Sequence, residues 1–243
     1  MSSTKPILKP ITADRKADLK RATRLCLGLP AFLAFLSVIP LLASDAATVT
    51  FTLDFPNSNP DHYSISVQFD GHTKYESSGR ISDQSDDRDT YETEFTVSDA
   101  TRTRIFDLAA QAHYFSGKID SGNKKIAFTG AKKLSYQDAQ RNSSADYNFS
   151  PQPAVQQLTS LFQSVEATLE FGRRLVYFHR YQKLALDDEL KRMEDEARRG
   201  EIAELQAVKP VLQQIYEDPS VINVVRARAL RLIEMGPSQA AGN

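Results

Sequence analysis

The stretch Thr48-Val-Thr-Phe-Thr-Leu-Asp-Phe55 decides the fold of this chain. Polar and apolar residues alternate strictly along it, so every second side chain is apolar. A period of two is typical of a strand in an antiparallel sheet that has one face on the core and the other in water. Residues 63–69 repeat the pattern. Asp70-Gly71 then predicts a hairpin turn, because glycine adopts a positive φ without strain, and residues 72–76 are the predicted return strand.

Beyond this hairpin, short alternating segments predict further strands, at residues 91–97, 125–129, 133–137 and 145–149. Residues 77–89 are polar and acidic and predict a loop. Two helices are predicted, one running from Ser98 as its N-cap to about His113 and one beginning at Pro151 after Ser150. The fold class predicted for residues 47–171 is therefore α+β, with a small antiparallel sheet packed by two helices.

The pattern becomes helical from residue 172 onward, so a C-terminal helical segment is predicted over residues 172–236. Three helices are predicted within it, at residues 173–199, 202–216 and 219–235. The first contains neither glycine nor proline and is predicted to end at Gly200, and Asp218 is predicted to cap the third. Residues 237–243 are predicted to form a disordered tail.

The N-terminal 46 residues predict export. Residues 25–46, LCLGLPAFLAFLSVIPLLASDA, form an apolar run that follows several basic residues and ends in small ones. This layout is typical of a secretory signal peptide, predicted here as residues 1–46. The alternative is an uncleaved inner-membrane anchor, because residues 25–43 are uncharged and approach the ~20 residues that span a bilayer. Either interpretation places the remaining chain outside the cytoplasm, in the periplasm or medium. Membrane contact is expected only if this segment is uncleaved.

Composition narrows the possible partners. Beyond residue 46 the chain carries 23 basic and 28 acidic residues, so no nucleic acid partner is expected. The one cysteine, Cys26, lies in the apolar run, so the exported part has no cysteine for a disulfide or a thiolate metal site. No cofactor is predicted, because the ten glycines form no phosphate-binding loop.

Residues 48–169 resemble a known kind of domain. The segment Tyr63-Ser-Ile-Ser-Val-Gln-Phe-Asp70-Gly71, then Tyr75, a polar loop and a helix ending in His113-Tyr114-Phe115, is similar to an uncharacterised domain of bacterial exported proteins. The whole chain also resembles hypothetical secreted proteins of soil bacteria. These resemblances imply the fold and the compartment. They carry over no functional residue, since that family has no assigned activity.

A second resemblance covers about 30 residues near the C-terminus. The segment Pro210-Val-Leu-Gln-Gln-Ile-Tyr-Glu-Asp218-Pro219, with Val225-Arg226 farther on, is similar to a single HEAT repeat. In that repeat a proline bends the first helix, an aspartate closes the turn and Val-Arg opens the second helix. Here Val225-Arg226 comes about two residues late. One repeat cannot bury its own faces, so a helical hairpin packed on the preceding helix is favoured over a repeat array.

No catalytic motif is recognisable. The four histidines form no zinc-type pair, although His62 and His72 flank a hairpin and His179 falls on an inward helix face. Neither a Gly-x-Ser-x-Gly elbow nor a Ser-x-x-Lys motif with its partners is present. The acidic loop at residues 83–89 is predicted to be solvated rather than to bind calcium. The charge runs of residues 187–199 are predicted to form a solvated helix face. A pair of distant carboxylates acting as a glycosidase stays open.

One cluster is a candidate interaction surface: Arg173, Tyr177, Arg180 and Tyr181 fall along one flank of a helix. Arginine and tyrosine are favoured at binding hot spots. The alternative is a junction helix whose arginines pair with local carboxylates. The function expected is a non-catalytic protein that binds another envelope protein. The alternative is a small-ligand-binding protein or hydrolase, which a pocket lined by convergent carboxylates between sheet and helices would favour.

Overall fold

The computed structural model describes residues 46–80 and 88–235. The strands form one six-stranded antiparallel sheet in the order β4-β3-β2-β1-β5-β6. Their bounds are β1 Thr48–Asp54, β2 His62–Gln68, β3 His72–Arg80, β4 Arg88–Thr96, β5 Ala131–Gln137 and β6 Asn142–Tyr147. The predicted signal peptide up to residue 45, most of the acidic loop and the predicted C-terminal tail lie outside the described residues.

Five α-helices accompany the sheet within the described part of the chain. Their bounds are α1 Asp99–Gln111, α2 Pro153–Tyr181, α3 Leu186–Arg199, α4 Lys209–Glu217 and α5 Asn223–Glu234. Helix α1 lies between β4 and β5, and the other four follow the last strand. The α+β class and the C-terminal position of the helical segment are confirmed.

The alternation of β1 sets the two faces of the sheet. Phe51 is fully buried and pairs across the strands with Ile65 of β2 and Leu134 of β5. Its ring stacks on that of Phe162 in α2, with centroids 5.4 Å apart and planes 6° apart. Helix α2 therefore covers the apolar face, while the opposite face carries small polar side chains such as Thr50 and Ser66. This is the arrangement expected of an antiparallel sheet with one solvated face.

Helix α2 joins two hydrophobic clusters. Its first half, through Leu169, packs with the sheet and α1, whereas its side chains from Phe171 onward pack with α3, α4 and α5. The predicted domain boundary between residues 171 and 172 lies inside this helix, where the buried side chains pass from one cluster to the other. Gly172 allows this packing, since a Cβ atom there would lie 2.5 Å from Cγ1 of Val208.

Polar contacts also connect the C-terminal helical segment to α1 and α2. Glu204 is buried and accepts hydrogen bonds from the backbone N–H and hydroxyl of Ser98, each at 2.8 Å. Ser98 is the N-cap of α1, as predicted. The Thr168 hydroxyl donates to the carbonyl oxygen of Ala203. A side chain from the C-terminal segment thus completes the cap of a helix in the N-terminal part.

Several predicted elements were wrong. Residues 125–129 are a loop, and the predicted helix over residues 173–199 breaks at Gln182 between α2 and α3. Helix α2 begins at Pro153, two residues after the predicted start, with the same proline-first geometry. Asp218 ends α4, and the N-cap of α5 is Ile222. Gly200 ends α3 in the left-handed conformation, as predicted. Within residues 46–80 and 88–235, no helix has the length and apolarity that a membrane span needs.

Candidate ligand-binding cleft

A cleft of about 410 Å³ lies between α2, α3 and the loop after β1. We call it the acidic cleft, because four glutamates line it. Helices α2 and α3 supply most of the walls. Asn59, in the loop between β1 and β2, closes one side. The charged residues that line it are Glu166, Glu170, Arg174, Glu189, Arg192 and Glu196.

Helical spacing explains why these side chains meet. Glu166, Glu170 and Arg174 follow one another at intervals of four on α2, and Glu189, Arg192 and Glu196 follow at three and four on α3. Residues three or four apart share one face of a helix. The break at Gln182 reverses the chain, so the two faces are opposed across the cleft.

Glu170 is held by a complete set of donors. The Tyr75 hydroxyl and the Ser77 hydroxyl donate to Oε1 at 2.8 and 2.7 Å, and Nη1 of Arg173 lies 3.3 Å from Oε2. Burial and the nearby Glu170 carboxylate raise the pKa of Tyr75 well above its usual value, so Tyr75 stays a donor. Arg173 also donates to the carbonyl oxygen of Gly79. Glu170 is thus a fixed anchor between sheet and helix.

Glu189 is likewise fully engaged. It accepts hydrogen bonds from Nε of Arg174 at 2.6 Å and from Nη2 of Arg192 at 2.5 Å. Both guanidinium groups also lie against the ring of Phe171, at 4.8 and 5.3 Å from its centroid. The two arginines are therefore oriented by one carboxylate and one ring.

Glu166 and Glu196 differ from these two carboxylates. Within the described residues, neither side chain makes a hydrogen bond or ion pair. Burial first, and Glu170 second, raise the pKa of Glu166 from 4.5 to about 8. Burial also raises the pKa of Glu196. Glu196 itself adds to the raised pKa of Glu166, which shows that the two helices bring these carboxyl groups near each other.

Asn59 adds a third polar group without a partner. Its Oδ1 atom is buried and accepts no hydrogen bond within the described part of the protein. The side chain lies over Gly79, where a Cβ atom would be 2.6 Å from this oxygen. The cleft therefore combines two carboxyl groups and one amide oxygen that lack donors, beside the apolar surfaces of Phe171 and Phe178.

The predicted interaction residues separate in the structure. Arg173 is 6% exposed and binds Glu170 in the interior. Tyr177, Arg180 and Tyr181 lie at the surface, where the two tyrosine rings are 5.2 Å apart and the Arg180 guanidinium lies over Tyr181. The structure thus brings three of the four together and directs the fourth toward the sheet.

The charged face predicted for α3 is only partly solvated. Glu189 and Glu194 are buried, at 6% and 2% exposure, so that prediction was wrong for both. Glu194 accepts from Arg198, Arg228 and Arg231, which joins α3 to α5. The signal that sequence reasoning missed was the position of Glu166 and Glu170, each directly after an apolar residue of the inward stripe of α2.

The histidines each have a local partner or lie at the surface. His62 pairs with Asp54 at 2.6 Å, and His72 lies 3.8 Å from Glu94, so these two do not meet across the hairpin. His179, which the sequence places on an inward helix face, is partly buried and lies 2.9 Å from Asp218. Among the residues that the structure describes, no three His, Cys, Asp or Glu side chains converge as a metal-binding group.

Comparison of the chain with family models and with curated protein sequences gives no match. The resemblances to exported bacterial domains and to a single HEAT repeat therefore stay predictions.

Proposed function

We propose that this chain is an exported binding protein that takes a small organic cation in the acidic cleft. The observation that carries the proposal is a pair of carboxyl groups, Glu166 and Glu196, that lie on opposed faces of one cleft and have no partner in the described part of the chain. Ammonium and guanidinium groups offer three to five donors and no acceptor, which matches acceptors that lack donors. The apolar run at residues 25–46 supports export.

The size and lining of the cleft support a small organic ligand. Its volume of about 410 Å³ falls within the range of roughly 300–1,000 Å³ typical of ligand pockets. Phe171 and Phe178 offer apolar surface to a hydrocarbon or aromatic portion. Four glutamates and two arginines line the cleft, so carboxyl groups outnumber guanidinium groups and a basic ligand group is favoured over an acidic one. A cation near Glu166 would also favour its ionised form.

A melting-temperature panel tests this proposal. The full chain is heated with primary amines, guanidines and diamines, each paired with the alcohol of the same shape. At least one basic compound is expected to raise the melting temperature, because a ligand that binds only the folded state stabilises it, and its alcohol is expected to have no effect. Ala185→Phe fills the cleft and should remove the response.

The matched control is Ala139→Phe, which adds the same ring on the exposed turn between β5 and β6 and should retain the response. The proposal fails if no basic compound shifts the transition, or if Ala185→Phe responds as fully as the control does.

A second candidate function is binding of another envelope protein through Tyr177, Arg180 and Tyr181. The observation in its favour is that Arg180 and Tyr181 are exposed and that the ring of half-buried Tyr177 lies 5.2 Å from that of Tyr181. Affinity capture from envelope extracts is the test. Tyr181→Ala with Arg180→Ala should lose a specific partner that Ile222→Ala, an exposed apolar residue on the α4–α5 connection, retains. Equal capture by both variants would exclude this surface.

A further inference from the structure

Three phenylalanines are exposed at one end of the sheet. Phe55 is 37% exposed, Phe128 59% and Phe149 40%. Phe55 directly follows β1, Phe128 precedes β5 by three residues and Phe149 follows β6 by two. Because β5 is antiparallel to both neighbours, its start lies beside the ends of β1 and β6. We call these three residues the aromatic patch.

Phe55 and Phe128 of the aromatic patch are in direct contact. The rings of Phe55 and Phe128 meet edge to face, with centroids 5.9 Å apart. Gly130 permits this approach, because it has a φ of 97° and a Cβ atom there would lie 3.0 Å from that of Phe55. The patch is therefore a defined surface that joins segments distant in sequence.

The loop that carries Phe128 is fastened from below. The Asn148 side chain accepts from the backbone N–H of Thr129 and donates to the carbonyl oxygen of Ala127, both at 3.0 Å. The buried Lys132 ammonium donates to the carbonyl oxygens of Thr129 and Asn148. These bonds hold the loop in a position that leaves Phe128 in contact with solvent.

Positive charge lies on the loop that carries Phe128 of the aromatic patch. Lys118, Lys124 and Lys125 belong to the same loop, are exposed, and form no ion pair within residues 46–80 and 88–235. The nearby Asp120 carboxylate is occupied by the backbone N–H groups of Gly122 and Asn148. The chain beyond residue 46 has an excess of acidic residues, so this lysine-rich end contrasts with the charge of the whole.

We propose that the aromatic patch docks on an anionic phospholipid surface. The phenylalanine rings enter the boundary between headgroups and acyl chains, and the three lysines meet the lipid phosphates. Apolar side chains with a surrounding set of lysines are the combination that favours the membrane interface, because lysine stems extend along apolar surface while the ammonium groups stay in water. The rings stand at strand ends and on a loop, which suits a broad lipid surface. This surface is separate from the acidic cleft and does not depend on a ligand there.

A single fluorophore tests the location of the contact. The chain contains no tryptophan, so Phe128→Trp places the only indole in the aromatic patch. With the full chain and vesicles of phosphatidylglycerol and phosphatidylcholine, its emission is expected to shift to shorter wavelength and to be quenched by brominated acyl chains. Vesicles of phosphatidylcholine alone should give little shift. The matched control is Leu184→Trp, on a residue between α2 and α3 that is 93% exposed, which should report no shift.

Charge reversal tests the role of the lysines. Lys124→Glu with Lys125→Glu, added to Phe128→Trp, should weaken partitioning roughly tenfold or more. High ionic strength should weaken it as well. Absence of a shift with anionic vesicles, an equal shift with uncharged vesicles, or an equal shift in Leu184→Trp would overturn the proposal. A shift with polyglutamate but not with vesicles would do so too, and would identify a docking surface for acidic protein.

Discussion

Replacement of Glu166 by glutamine should make the protein more stable, and more so as the pH rises. The carboxyl group is partly buried in the acidic cleft, lies near Glu170, and makes no hydrogen bond within the described residues. Glutamine has almost the same shape and cannot ionise. The substitution therefore removes the free energy that is needed to ionise a buried carboxyl group in the folded state.

The magnitude follows from the two pKa values. The pKa is 4.5 when the group is solvated and about 8 in the folded protein. Between these values the folded state retains a proton that the unfolded state releases, so this group lowers the free energy of unfolding as the pH rises. The loss amounts to about 1 kcal/mol at pH 5 and about 3 kcal/mol at pH 7. Above pH 8 it no longer grows.

Urea unfolding of the wild type and Glu166→Gln at pH 5, 6 and 7 measures this effect. The difference in unfolding free energy between the two proteins should widen by about 2 kcal/mol over that range. The two proteins share all their other side chains, so the contributions of those side chains cancel in the difference. Glu234→Gln, on the exposed end of α5, is the matched control and should give a constant difference. A constant difference for Glu166→Gln as well would refute the reasoning.

Three further substitutions test the ion pairs of Glu194 and the packing at Gly172 and Phe162. Glu194→Gln should lower the unfolding free energy at pH 7 by about 3 kcal/mol, because its arginine partners lower the pKa of Glu194 from 4.5 to about 2. That loss should diminish as the pH falls from 4.5 toward 2 in urea titrations. Gly172→Ala should cost about 1–3 kcal/mol by urea unfolding, and Val208→Ala should relieve part of it, since the new methyl group meets that side chain. Phe162→Ala should lower the unfolding free energy by about 3–5 kcal/mol and Leu184→Ala by almost nothing, as calorimetry would show.

The parts of the fold that could be predicted are those that local pattern determines. The alternation of β1 and β2 and the Asp70-Gly71 turn appear in the structure because each depends on residues adjacent in sequence. Helix α1 begins after Ser98 for the same reason. Because one face of each such segment must be buried, few strand registers are possible.

The wrong predictions concern segments whose structure depends on residues that are distant in sequence. Residues 125–129 contain apolar residues, but they form a loop whose backbone is bonded to the Asn148 side chain at Ala127 and Thr129. The break at Gln182 has no glycine or proline signal. It comes from tertiary packing, because Leu186 and the following turns of α3 pack back against α2. A helical sequence pattern that contains neither glycine nor proline does not reveal such a reversal of the chain.

The acidic cleft was invisible in sequence for a related reason. Glu166 and Glu196 are 30 positions apart, and nothing in either segment shows that the chain reverses between them. The runs of charge on α3 have the composition of a solvated face. Only the reversal at Gln182 turns Glu189 and Glu196 toward α2. A pocket lined by carboxylates would favour a ligand site over a docking surface. The sequence allowed that criterion to be stated, but it did not show which residues form the pocket.

The contrast between satisfied and unsatisfied carboxyl groups gives the acidic cleft its significance. The chain provides two or more donors for each of its four most buried glutamates, Glu170, Glu189, Glu194 and Glu204. Among the residues described, Glu166 and Glu196 have no hydrogen-bond donor. The cost of leaving them so is significant, because the net stability of a protein is only about 5–15 kcal/mol. A donor from outside would relieve that destabilisation. An organic cation that binds ionised Glu166 below pH 8 must release its proton, so affinity for the cation should rise with pH until about 8. Ligand binding, proton release and stability at this cleft are thus three measures of one equilibrium.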